Sequence, residues 1–323
     1  ICACLVGSEM CIRDRIYTVT FNPALDYILE LDKLEIGKIQ KSKTELILPG
    51  GKGINVSTVL TNLEVENIAL GYKAGFVGAE IERLLRNMNV KTDFIDLGEG
   101  NSRINVKISG EEETAINTNG PKISENRILE LLEKLKTLNE NDYLVLSGSI
   151  PNSIKDDIYE KICSIVKKQN VKIVVDATKN LLVQALKYNP FLIKPNNEEL
   201  GEIFGVEIHT KEDAYVYGKK LKEMGAKNVL VSMGKTGAAL IDEAGQEYFL
   251  KSPEGKRVNT VGSGDSMVAG FIAGFLKYNN YNDALKMGVS AGSASALSKY
   301  LATKEEVYNL SLIHISEPTR HAQ

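Results

Sequence analysis

The stretch Val258-Asn259-Thr260-Val261-Gly262-Ser263-Gly264-Asp265-Ser266-Met267-Val268-Ala269-Gly270 constrains this chain more than any other. It reads as a glycine-spaced turn running into a helix of small residues, with one carboxylate at the junction. Glycines let backbone N–H groups crowd inward with no Cβ in the way. Free N–H groups at a helix N-terminus make a site for an anion. Asp265 then sits beside bound negative charge, where its use would be to take a proton from a hydroxyl attacking a phosphate. A helix N-cap, for which Asp is common, is the plain alternative. The turn alone supports both readings, and a second motif has to decide.

That motif is Pro49-Gly50-Gly51-Lys52-Gly53-Ile54-Asn55-Val56-Ser57, followed by an apolar helical run. Clustered glycines again imply close backbone approach at a helix start. Lys52 can bring a cation to a phosphate, and Asn55 can bond a sugar hydroxyl as donor and acceptor. The alternative is an ordinary glycine loop before a helix. A third piece, Thr20-Phe21-Asn22-Pro23-Ala24-Leu25-Asp26-Tyr27, follows the strand-like run Ile16–Val19. Asp26 lies where a strand end opens onto a cleft, the place where open α/β sheets bind ligands. Alone, such Asn-Pro and Asp signals mark turns.

Strand-like runs at Tyr143–Ser147, Lys172–Asp176, Phe191–Lys194 and Asn228–Ser232 alternate with helical ones, which predicts an α/β fold: a mainly parallel sheet with helices on both faces. Arg127–Leu138 has the helical period, with Ile128, Leu131, Leu132 and Leu135 on one stripe and Ser124 as N-cap. Tyr27–Leu48 and Asn101–Asn117 are extended, charged and alternating, and read as hairpins of a small separate β-sheet. The formal charge of −3 leaves no electrostatic footprint for nucleic acid. Three of the four cysteines fall in the first eleven residues, so the body has neither a disulfide framework nor a cysteine metal site. His209 is the only histidine between 16 and 309, which argues against histidine bases and histidine metal clusters. No apolar run nears the roughly 20 residues needed to cross a bilayer, and the chain reads as soluble and cytoplasmic.

The ordered set Asn22-Pro23-x-x-Asp26, Gly50-Gly51-Lys52-Gly53-x-Asn55, Lys194-Pro195-Asn196-Asn197-Glu198-Glu199-Leu200 and Gly262-Ser263-Gly264-Asp265 resembles the ribokinase (PfkB) superfamily of sugar kinases, over about Ile16 to Asn309. The resemblance implies a ribokinase-like α/β fold whose small β-sheet is a lid over the sugar and often a dimer face, hence a possible homodimer. It implies Asp265 as catalytic base, with the amides of Gly262, Ser263 and Gly264 holding the transferring phosphoryl group. Lys194 would pair with ATP phosphates, and Asn196 and Glu199 would hold Mg²⁺ through water. For Glu199 the alternative is a solvated helix start. Ser232-Met233-Gly234-Lys235-Thr236-Gly237 follows a strand and reads as lining the nucleotide site, with Ser232, Met233, Gly234, Lys235 and Gly237 as its contacts. Its Gly-Lys-Thr is no P-loop, because the required earlier glycine is Val229. Ala291-Gly292-Ser293-Ala294 is small-residue helix packing that, by resemblance, brings Ser293 near the adenine.

On the sugar side, Asp26 and Asn55 would bond hydroxyls beside Gly50 and Gly51. Arg103 is the favoured clamp for the phosphate already on the sugar, since its planar fork suits that group. Lys52, Asn105 and Lys107 are further candidates, and the polar face of an edge strand is the alternative for Arg103 and Lys107. Ser149, in Ser147-Gly148-Ser149-Ile150-Pro151, ends a strand near the sugar. Ser102-Arg103-Ile104-Asn105-Val106-Lys107, Asn117-x-x-Gly120-Pro121 and Glu198-Glu199-Leu200-Gly201-Glu202-Ile203-Phe204-Gly205 favour the branch that converts fructose 1-phosphate into fructose 1,6-bisphosphate. Tagatose 6-phosphate and fructose 6-phosphate are the rival acceptors. A sugar-phosphate sensor is disfavoured by a base that binding does not need, and a nicotinamide enzyme by the lack of Gly-x-Gly-x-x-Gly after the first strand.

Both ends read as foreign. Cys4–Arg15 and Leu310–His321 resemble one sequencing-library adapter translated in opposite directions. A signal peptide is a poor rival, because Ile1–Gly7 is short, lacks a basic start and is followed by charge. The expected division is therefore a tail at 1–15, a kinase unit at 16–309 and a second tail at 310–323.

Overall fold

The computed structural model describes residues 15–177 and 179–316. Its strands are β1 (Ile16–Thr20), β2 (Ala24–Glu30), β3 (Thr44–Gly50), β4 (Asn67–Lys73), β5 (Lys91–Asp96), β6 (Arg103–Ser109), β7 (Thr114–Asn117), β8 (Tyr143–Ser147), β9 (Lys172–Asp176), β10 (Leu192–Ile193), β11 (Asn228–Ser232), β12 (Ala238–Ile241) and β13 (Glu247–Leu250). The helices are α1 (Lys52–Asn62), α2 (Gly75–Asn87), α3 (Glu125–Leu135), α4 (Ile158–Lys167), α5 (Lys179–Leu186), α6 (Asn197–Phe204), α7 (Lys211–Glu223), α8 (Ser263–Tyr278), α9 (Tyr281–Leu297) and α10 (Lys304–Ser316).

Among the described residues, nine strands form one sheet in the order β13-β12-β11-β10-β9-β8-β1-β4-β5, parallel from β11 through β5, with β12 and β13 antiparallel at one edge. The central strands β1 and β8 are buried at every position, as a sheet covered on both faces requires. Two large apolar clusters do the covering. One includes Leu131, Leu135, Tyr159 and Ile162; the other includes Val56, Leu60, Val268, Phe271 and Val289. Helices α8 and α9 can lie close because glycines face the partner: a Cβ on Gly270 would stand 2.4 Å from the Met287 carbonyl.

The second sheet has the order β3-β2-β6-β7. Its hairpins β2–β3 and β6–β7 fall where the alternating charged segments predicted them, with β2 beginning at Ala24 and β3 ending at Gly50. In α3 the stripe holds: Leu131, Leu132 and Leu135 are buried. The helix starts at Glu125 and stops at Leu135, earlier than its apolar period suggests, and Ser124 occupies the N-cap position without a side-chain capping bond.

The expected N-terminal tail, through residue 14, and residues 317–323 of the C-terminal one lie outside the described residues. At the two boundaries, Arg15 donates from Nε and Nη2 to the buried Asp142 carboxylate at 3.2 Å, and Leu310, on α10, packs partly buried against the second cluster. Among the described residues no helix is long and apolar enough to cross a membrane.

Candidate active site

The cleft lies at the C-terminal ends of the parallel strands, roofed by the small sheet, with a volume of about 1130 Å³. It brings together Asp26, Gly51, Lys52, Asn55, Arg103, Asn105 and Lys107 on the side of the small sheet. On the other side it holds Lys194, Asn196, Glu199, Ser232, Gly234, Lys235, Ser293 and the whole Gly262–Asp265 turn. Four of the expected residues do not line it. Gly50 backs Asp26 instead, Ser149 is exposed next to Gly148, whose added Cβ would stand 3.6 Å from Lys52 Cβ, Met233 is buried in the first apolar cluster, and Gly237 abuts Leu250.

The glycine turn enters α8 through Gly262, which takes the left-handed conformation at φ 78° and is itself the N-cap. Asp265 is therefore not the cap; it is the third residue of the helix, 5 % exposed and facing the cleft. Asn55, one turn into α1, donates from Nδ2 to Asp265 Oδ2 at 2.8 Å. Burial pushes the Asp265 carboxyl up to about 7, and the nearby Asp176 charge adds to this; the Asn55 bond, Lys52 and Lys194 pull the other way. A carboxyl poised there suits a general base at neutral pH.

Asp176, at the end of β9, is the residue that the sequence reading left unassigned. It is 1 % exposed and meets two cations, Lys194 Nζ at 3.3 Å and Lys52 Nζ at 3.5 Å. Burial works against its charge, but Lys194 and Lys52 outweigh that and hold it below the usual carboxylate range. Burial likewise opposes the Lys52 charge, while Asp176, Asp265 and Glu199 overcome it and hold the lysine above its ordinary value. Lys194 in turn sits under the turn: a Cβ on Gly264 would lie 3.3 Å from its Nζ. The signal available beforehand was position alone, a carboxylate at the C-terminal end of a parallel strand.

The Gly-Gly-Lys-Gly loop is pressed onto the end of β1. Gly51 has φ 128°, and a Cβ on Gly53 would stand 2.5 Å from Thr20 Oγ1 and 2.9 Å from the Val19 carbonyl. That contact starts α1 at Lys52 and points its side chain into the cleft.

On the roof, Asp26 is held from three directions. Asn105, its register partner on β6, donates to Oδ1 at 2.8 Å. Lys107 donates to Oδ2 at 2.6 Å. Gly50 leaves room, since a Cβ there would lie 2.7 Å from Oδ2. An ionised carboxylate offers about four lone-pair sites, so two remain for ligand hydroxyls. Arg103 spends its Nε on the Asn22 carbonyl at 3.0 Å, which leaves the rest of its five-donor fork. Asn196 and Glu199 face the cleft as a reciprocal capping box on α6: Asn196 Oδ1 accepts the Glu199 N–H at 2.7 Å, and Glu199 Oε2 accepts the Asn196 N–H at 2.9 Å.

A buried carboxylate beside a glycine turn at a helix N-terminus and two lysines, under a polar roof, is the layout of a phosphotransferase acting on an alcohol. The pattern of the "pfkB family carbohydrate kinase" matches residues 21–307, and the chain belongs to that family. It is 46 % identical over 295 residues to 1-phosphofructokinase of Bacillus subtilis, covering 91 % of this chain and 97 % of that one. It is 38 % identical to the D-tagatose-1-phosphate kinase of Bacillus licheniformis, over 88 % of this chain and 94 % of that one. Among solved structures, phosphofructokinase-2 from Escherichia coli in complex with fructose-6-phosphate superposes with a TM-score of 0.86 at 26 % identity, covering 93 % and 99 % of the two chains. The family and fold expected from the four motifs are those found, and ATP follows as the family's phosphoryl donor.

Proposed function

We propose that this chain transfers the γ-phosphoryl group of ATP to the C6 hydroxyl of fructose 1-phosphate, giving fructose 1,6-bisphosphate. The observation that carries the reading is the Asn55–Asp265 pair at the mouth of the Gly262–Gly264 turn, in one cleft with Asp26 and Arg103. In this reading Asp265 takes the hydroxyl proton as the new O–P bond forms and the bond to the ADP oxygen breaks. The amides of Gly262, Ser263 and Gly264, with Lys52 and Lys194, hold the moving charge. Asp26 and Asn55 read sugar hydroxyls, and Arg103 clamps the phosphate already present. Ser232, Gly234, Lys235 and Ser293 border the nucleotide.

Asn196 and Glu199 suit Mg²⁺, which keeps several waters and takes one or two carboxylates plus substrate phosphates. When bound, the ion would neutralise phosphate charge. The same reading puts the enzyme in the cytoplasm, where ATP is supplied, and the kinase unit at 16–309, which the family match at 21–307 supports. Ile47 on β3 and Ile116 on β7 are 45 % and 56 % exposed on the small sheet, which supports pairing of two copies through it; light scattering of the purified protein tests this.

A second acceptor has specific support. The tagatose relative at 38 % identity acts, by its name, on a 1-phosphate, so tagatose 1-phosphate joins the panel ahead of the 6-phosphates. The test is ATP turnover with fructose 1-phosphate, tagatose 1-phosphate, tagatose 6-phosphate and fructose 6-phosphate. The highest kcat/KM on fructose 1-phosphate is expected; a clear preference for any other member overturns the assignment.

A further inference from the structure

We propose that Ser266 and Ser295 are positioning residues for the phosphoryl-holding turn, acting through a one-way hydrogen-bond relay that ends on the Gly262 carbonyl. The proposal rests on the reading of Gly262–Gly264 as the element that holds the transferring group.

The relay has three links. Ala302 N–H donates to Ser295 Oγ at 2.8 Å. Ser295 Oγ and Ser266 Oγ are 2.7 Å apart. Ser266 Oγ donates to the Gly262 carbonyl at 2.8 Å. Both serines are buried, at 0 % and 1 % exposure. Each hydroxyl has a single proton. A carbonyl can only accept, so Ser266 spends its proton on Gly262. Ser295 must therefore donate to Ser266, and its oxygen takes the Ala302 N–H. Every bond direction is fixed, from the amide of residue 302 to the carbonyl of residue 262.

A helical serine bonding back to the carbonyl four residues earlier is ordinary by itself. The links to Ser295 and Ala302 are not, because they join α8, α9 and the segment before α10. The Gly262 carbonyl also accepts the Ser266 N–H at 2.8 Å, so it is held by two donors. That carbonyl and the Ser263 N–H belong to one planar peptide group. Holding the oxygen fixes the direction of the N–H, which here makes a long bond of 3.3 Å to the Thr260 carbonyl that a phosphoryl oxygen would replace, and hydrogen bonds in series strengthen one another. The far end is anchored as well. Asn62, the last residue of α1, donates to the Ala302 carbonyl at 2.9 Å. Leu301 fills the space beside Gly262, where a Cβ would stand 2.7 Å from Leu301 Cδ2. Residue 302 thus ties the turn to the helix that carries Lys52 and Asn55.

The test compares Ser266→Ala, Ser295→Ala and the double variant with the wild-type chain. Ser295→Cys is added because it keeps the volume close with only a weak donor. A turn whose donors are misaimed should lower kcat about ten-fold, with both KM values within about two-fold. Members of one relay are non-additive, so the double variant should be no slower than the worse single one. Affinity for ADP with aluminium fluoride, which mimics the transferring group, should fall in step with kcat while affinity for ATP holds. Unchanged kcat in folded variants overturns the proposal. So do losses that multiply in the double variant, or equal weakening of ATP and of the mimic. A wild-type chain that phosphorylates no sugar phosphate overturns the functional reading together with it; an active wild type with unaffected variants overturns the relay alone.

Discussion

The Asn55 amide donates to Asp265 Oδ2 at 2.8 Å, across 210 residues of chain. The bond favours the ionised carboxylate against the burial that disfavours it. Removing the donor with Asn55→Leu should move the pH dependence upward. In the wild type, kcat/KM should rise about ten-fold per pH unit below about 7 and level off above it. In Asn55→Leu the bend should come at higher pH and kcat at neutral pH should fall. A wild-type profile flat across the neutral range would remove Asp265 as base. Asp265→Asn should lose two to four orders of magnitude in kcat while still binding ATP.

The same carboxyl makes stability depend on pH. Its folded-state value lies above its ordinary 3.8, at about 7. Between those values the folded chain holds a proton that the unfolded chain has released, so this group's contribution falls as pH rises through the window. Asp265→Asn removes that slope. The variant's gain in Tm over the wild type should be small near pH 4 and largest above about 7. A gain that shrinks over this range would show that the carboxyl is not raised.

Gly50 and Gly53 should fail in different ways. A Cβ on Gly50 meets the Asp26 carboxylate at 2.7 Å, so Gly50→Ala should raise KM for the sugar phosphate about ten-fold with little change for ATP. A Cβ on Gly53 meets backbone and side chain of β1, with the Val19 carbonyl at 2.9 Å. Overpacking there should cost about 1–3 kcal/mol in chemical denaturation. Equal effects of Gly50→Ala on both KM values would contradict the first expectation.

Lys107 and Arg103 lie two strand positions apart from Asn105 on β6, yet should act differently. Lys107 is engaged with Asp26 at 2.6 Å, whereas most of the Arg103 fork is uncommitted. Arg103→Met should weaken binding of fructose 1-phosphate far more than of fructose. Lys107→Met should weaken both by a similar factor, read by calorimetry. If Lys107→Met spares fructose, the lysine is a phosphate contact.

Much of this was legible in the sequence. Parallel strands buried on both faces read as short apolar runs, which placed β1, β8, β9 and β11, and the two hairpins of the small sheet followed from charged alternation. Glycine spacing located both helix starts of the cleft, because close backbone approach leaves a local mark. What could not be read depends on partners remote in the chain. Asp176 draws its role from Lys52, 124 residues away. The bond from Lys107 to Asp26, 81 residues away, has no local mark either. Ser266 and Ser295 carry no periodic signal at all. Ser124 sits at a cap position where its side chain makes no cap bond, since local preference names a place but not the rotamer taken there.

The roof joins the body through Phe21–Pro23 between β1 and β2, through Gly51 between β3 and α1, and through two longer links, 97–102 between β5 and β6 and 118–124 between β7 and α3. Asp26 belongs to one sheet and Asp265 to a helix on the other, so the spacing between these two carboxylates depends on the short joints together with the packing of Leu25 and Ile104 against Ile54, Val77 and Ile81. Lengthening or stiffening a joint offers a way to change which hydroxyl reaches the donor while leaving every reactive side chain in place.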